Sequence, residues 1–186
     1  MPITLNGDGT VTGISVGGLP DGCITADDLA SGAGGKILQV VSTTKTDTFT
    51  TTSQSFTDIT GLSVSITPAS SSNKILIFAF VTGLGTSNTR AVHRLVRDST
   101  AIAIGDAAGN RARAFGGIYT DDGETPETVS VVHQDSPSTT SATTYKLQIS
   151  NGNNVDAVYV NRANTWTDLF PHPATCSSIT VMEVAA

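Results

Sequence analysis

Apolar and polar positions follow a strand-like pattern over most of the chain. Leu62-Ser63-Val64-Ser65-Ile66 alternates with period two, the mark of a strand with one buried face. Ile75-Leu76-Ile77-Phe78-Ala79-Phe80-Val81 is apolar throughout and predicts a central strand covered on both sides, one cover being another subunit. Further runs over 37–42, 46–51, 91–97, 101–104, 111–120, 127–134, 144–150, 157–161 and 178–184 are bounded by turn residues such as Pro68-Ala69-Ser70-Ser71-Ser72-Asn73. Their spacing of roughly 8–12 residues is that of sandwiches and barrels. The pattern predicts an all-β fold, an antiparallel sandwich or barrel.

The chain before residue 36 differs. It holds half of the 18 glycines and no Lys or Arg, yet Ile14, Val16 and Leu19 recur between the glycines. Such a segment cannot build its own core, and self-association is the physical remedy. Ile14, Val16 and Leu19, with Ile75 and Ile77 of the apolar strand, are therefore the predicted contacts between copies of the chain. The alternative for the first dozen residues is a disordered tail. Residues 25–31 read as one short helix, with Thr25 as N-cap and Gly32 as stop. The expected organisation is an extended attachment and trimerisation segment, 1–35, followed by a sandwich knob, 36–186.

Composition narrows the function. About a quarter of the residues are Thr or Ser, while 14% are charged, so the surface is rich in hydroxyls. The net charge of −6 argues against a nucleic-acid partner, which would require clustered Lys and Arg. Cys23 and Cys176 form no disulfide framework and are expected to be reduced thiols. No apolar stretch approaches the roughly 20 residues that span a bilayer, so membrane insertion is not expected. With no signal-like N-terminus, folding and assembly in a cytoplasm are the expectation.

Catalytic signatures fail on inspection. Gly35-Lys36 lacks the first glycine of a phosphate loop and the following Ser or Thr. Ser42-Thr43-Thr44-Lys45 and Ser71-Ser72-Asn73-Lys74 match Ser-x-x-Lys by chance, without their partner motifs. His93, His133 and His172 are scattered, and no metal or cofactor is expected. Arg90, Arg94 and Arg97 in one run, and Arg111 and Arg113 in another, invite pairing with Asp98 and Asp106 or binding of an anionic sugar or lipid phosphate. Trp166, Phe170 and His172 lie in a Pro-bounded loop, where aromatic faces can stack on sugar rings or fold inward as a cap. Tyr119, Asp121 and Asp122 join them as candidate receptor contacts.

Pro2-Ile3-Thr4-Leu5-Asn6-Gly7, Val16-Gly17-Gly18-Leu19-Pro20-Asp21-Gly22 and Gly34-Gly35-Lys36-Ile37-Leu38-Gln39-Val40-Val41 resemble the openings of bacteriophage tail-fibre and related virion proteins, many from phages of marine and freshwater bacteria. The similarity extends through 56–68, Arg94-Leu95-Val96-Arg97-Asp98 and Ile179-Thr180-Val181-Met182-Glu183-Val184. The resemblance implies a homotrimeric virion fibre subunit, with Ile14, Val16, Leu19, Ile75 and Ile77 as trimer contacts, joined to other virion proteins by its N-terminal portion and meeting a host surface glycan or protein through a C-terminal knob, an all-β, antiparallel, jelly-roll-like β-sandwich. It assigns no receptor residues. A head fibre or capsid decoration protein is the structural alternative. A glycan depolymerase is the enzymatic one, disfavoured because Glu occurs only at 124, 127 and 183.

Overall fold

The computed structural model describes residues 4–5, 11–12, 36–85, 88–121, 124–152 and 156–186. The chain divides into two compact units, Met1–Lys36 and Ile37–Ala186. In the first, β1 (Thr4–Leu5) and β2 (Val11–Thr12) pair antiparallel, Thr4 facing Thr12 and Leu5 facing Val11. The short helix predicted over 25–31 and the contacts Ile14, Val16 and Leu19 lie outside the described residues.

In the second unit the strands follow the hydrophobic runs. They are β3 (Ile37–Lys45), β4 (Phe49–Thr51), β5 (Thr57–Ile66), β6 (Lys74–Gly85), β7 (Thr89–Arg97), β8 (Thr100–Ile102), β9 (Gly116–Thr120), β10 (Glu127–Asp135), β11 (Thr143–Asn151), β12 (Val158–Val160) and β13 (Ser177–Val184). No helix occurs among the described residues. One sheet runs β3–β13–β6–β10, with β12 and β4 extending the β13 and β3 positions at the far end of β6. The other runs β5–β11–β7–β9, with β8 beside the end of β7. Every pairing is antiparallel, and successive long strands cross between the sheets except at β7–β9. This is the strand order of an eight-stranded jelly roll.

The core between the sheets is built from the inward positions of both. Leu62, Ile75, Ile77, Val81, Leu95, Leu147, Ile149, Ile179 and Val181 are all fully buried. Tyr145 is buried among them, its hydroxyl donating to Asp135 Oδ2 at 2.7 Å. Burial first, and then that hydrogen bond, push its phenol well above the ordinary tyrosine range. Asp135 also receives Arg97 Nη1 at 2.9 Å on each oxygen, which ties the end of β10 to β7 in the facing sheet. Glu183 is buried too, and takes hydrogen bonds from Ala69 N (2.7 Å), Asn73 Nδ2 (2.6 Å) and Gln39 Nε2 (2.6 Å).

Four details correct the sequence expectations. The apolar run on β6 is central in its sheet but covered on one face only: Ile75, Ile77 and Val81 are fully buried, whereas Phe78 points outward and is 41% exposed. Ile75 and Ile77 are therefore core residues and cannot meet a second chain, because their side chains are enclosed by the facing sheet. Strand β5 starts at Thr57, five residues before the alternating segment, and a bulge around Gly61 (φ 81°) shifts its register against β11 between Lys146 and Gln148. Residues 111–115 precede β9 instead of forming it, so Arg111 and Arg113 sit on an exposed loop.

Candidate functional site

Antiparallel strand order brings four connections to one pole of the sandwich. They join β3 to β5 by way of β4, β6 to β7, β9 to β10, and β11 to β13 by way of β12. The register shows why: Gly83 near the end of β6 faces Glu127 at the start of β10, and Asn151 at the end of β11 faces Ala91 near the start of β7. Ile37, where the chain enters the unit, faces Val184, which in turn faces Lys74 at the start of β6. Entry thus lies at the opposite pole. Trp166, Phe170, His172, Tyr119 and Asp121, scattered in sequence, share the first pole, while Asp122 lies outside the described residues.

A clamp between two loops organises this pole. His172 Nε2 stands 3.0 Å from Glu124 Oε2, and its Nδ1 is 2.7 Å from Thr167 Oγ1. Thr165 Oγ1 donates to the other Glu124 oxygen at 2.8 Å. Within the loop, Leu169 N donates to Thr167 O (2.8 Å) and His172 N to Leu169 O (3.0 Å), which folds the segment back on itself. His172 is thereby almost enclosed, and acts as a loop tether more than as an open contact.

The aromatic residues differ in availability. Phe170 projects fully into solvent, and Trp166 is 44% exposed. The Arg162 guanidinium lies over both the Trp166 ring (5.4 Å) and the Tyr159 ring (4.7 Å), anchored by its bonds to the carbonyls of Ala163 and Asn164. Beside them opens a cleft of about 320 Å³ lined by Trp166, Thr167, Asp168, Leu169, His172 and Ala174. Exposed aromatic faces next to a carboxylate and a hydroxyl suit a saccharide, whose C–H face stacks and whose hydroxyls donate to oxygen acceptors. Elsewhere on the pole, Tyr119 donates its hydroxyl to Asn88 Oδ1 at 2.9 Å and lies under Arg90 at 4.7 Å. Among the described residues no group of three or more His, Cys, Asp or Glu is placed to hold a metal ion.

The arginines of β7 are engaged within the chain. Arg94 lies 3.9 Å over the Phe56 ring and donates twice to Gln148 Oε1, at 3.1 and 2.7 Å. Arg97 pairs with Asp135, not with Asp98, whose carboxylate instead accepts the Thr144 N–H at 2.9 Å. An anion site on this strand would have to displace these contacts. Arg162, Thr165 and the Glu124 clamp escaped the sequence reading, because each depends on a partner brought from another loop or on ring stacking that spacing does not reveal.

The fold and this pole define a jelly-roll β-sandwich with an aromatic loop cluster at the end remote from chain entry. No protein-family profile and no curated protein matches the chain. Among solved structures it is similar to the infectious bursal disease virus VP2 subviral particle, at 13% identity and a TM-score of 0.40 over 79% of this chain and 32% of that one. It is also similar to the structure of infectious bursal disease virus Gx strain, at 15% identity and a TM-score of 0.36 over 79% of this chain and 42% of that one. The Eiger TNF structure from S. frugiperda matches at 10% identity and a TM-score of 0.33, over 78% of this chain and 93% of that one. The chain thus spans less than half the length of the two viral proteins it resembles. The jelly-roll assignment rests on strand pairing alone.

Proposed function

We propose that this chain is a structural virion protein, a homotrimeric fibre subunit that attaches the particle to a host surface glycan through the loops 121–126 and 161–176. The observation that carries this reading is polarity. The chain enters the sandwich at one pole, and the exposed Trp166 and Phe170 stand at the other, beside a saccharide-sized cleft. A subunit anchored through its N-terminal segment would present these loops outward. Three copies would give avidity where each contact with a repetitive glycan is weak. The resemblance of the opening residues to phage tail-fibre proteins supports the same reading.

The test compares the purified full chain with a Trp166→Ala/Phe170→Ala double variant in host-cell binding. The variant is expected to keep its melting temperature, because both side chains are substantially exposed, and to lose at least tenfold in apparent affinity. Unchanged binding by a folded variant would refute attachment through this loop.

A further inference from the structure

We infer that copies of this chain meet through the outer face of the β3–β13–β6–β10 sheet. This rests on the trimeric reading above and names its interface. Cross-strand register places Val40, Met182 and Leu76 in one row of that face and Phe78 and Val132 in the next. Val132 is 65% exposed, Val40 54% and Phe78 41%. An apolar depression of about 230 Å³ lies between Phe78, Phe80 and Val132.

Charge selects the occupant. Along β3 from Leu38 to Thr44, β6 from Leu76 to Phe80, β10 from Thr128 to Gln134 and β13 from Ser178 to Met182, every outward position is apolar, Ser, Thr or Gln. Lys74 stands at the rim and donates to Ser136 Oγ at 3.0 Å. The outer face of the other sheet carries Arg90, Arg94, Lys146 and Asp58, the last two paired at 2.8 Å. Around a three-fold axis each copy meets a different patch of the next, and only the side chains at the axis meet their own copies, so a charge placed there faces two like charges. A charge-free face with an apolar centre avoids that repulsion, and the charged sheet does not. With strands about 4.8 Å apart and a rise of about 3.3 Å per residue, four strands over about eight residues cover roughly 500 Å² in projection. Side-chain relief brings this toward the roughly 800 Å² per partner of a stable interface.

The experiment is light-scattering mass and circular dichroism on the full chain, on Phe78→Glu, on Val132→Lys and on Ser63→Glu of the opposite face. The wild-type and Ser63→Glu chains are expected at three times 19.1 kDa, and the two face variants are expected to fall to 19.1 kDa with β-sheet signal intact. Should Phe78→Glu fail to fold, Val132→Lys decides, because its side chain is the most exposed of the set. A folded Val132→Lys that stays trimeric overturns the inference and leaves the trimer standing, with another virion protein or the residues before Lys36 covering the face. A monomeric wild type overturns the trimeric reading itself, and the interface with it.

Discussion

Replacing His93 by leucine should stabilise this protein and flatten its response to acid. His93 lies on the inward side of β7, fully buried, and neither ring nitrogen meets a hydrogen-bond partner among the described residues. Its nearest aromatic neighbour, Phe115, stands 6.2 Å away between ring centres and offers no acceptor. Burial pulls its pKa from 6.5 to about 4. The unfolded chain therefore binds the proton more readily than the folded one, and stability rises with pH across this window. The contribution is fully present above pH 6.5 and is lost as pH falls to about 4. A shift of that size is worth about 3 kcal/mol. The neutral ring adds a penalty of about 1–3 kcal/mol for its unmet polar atoms, which leucine removes. Urea denaturation of both chains, at fixed protein concentration and at the two ends of the window, measures each effect. Asp58 and Glu183 also sit below their ordinary values: burial opposes this in both, and hydrogen bonds from Lys146 and Gln148, and from Asn73 and Gln39, overcome it. Their acid response is common to both chains and cancels in the comparison. Equal loss of stability on acidification in wild type and His93→Leu would refute the argument.

Two further perturbations probe the scaffold. Gly83→Ala drives a Cβ into the Tyr159 carbonyl of the adjoining β12, and backbone cannot yield as a side chain would. The expected loss is about 1–3 kcal/mol in denaturant unfolding, and an unchanged midpoint would show that β12 adapts. Asp135→Ala strips the acceptor from both Arg97 and the Tyr145 hydroxyl in a mostly buried setting, and should cost about 3 kcal/mol, read as a lowered melting temperature. A loss under about 1 kcal/mol would mean that water replaces the carboxylate.

The strands were legible because each needed only local information. Period-two alternation marked Leu62–Ile66, and turn residues bounded the rest. What remained hidden depended on distant partners. The bulge at Gly61 breaks the alternation between the buried Ile59 and Leu62, so the first half of β5 had no readable phase. The unbroken apolar run on β6 pointed to two covered faces, but Leu76, Phe78 and Phe80, three of its seven residues, face outward in the single chain. Of the candidate site, the aromatic residues were visible from composition and Pro boundaries, while the His172–Glu124 clamp links residues 48 positions apart, one of them an acid in a stretch of turn composition.

The poles of the sandwich also separate what is constrained from what is free to vary. Every loop at the aromatic pole closes a pair of strands whose register is fixed by the core, and none of those loops supplies the chain's entry at Ile37. Residues 164–174 belong to no strand, so replacements confined to them leave the ladders of β4 and β12 untouched. On the proposed glycan-binding role, exchanging 164–174 would change the ligand, while Asn161 and Ala163, buried next to β12, stay in place and keep the sandwich as it is.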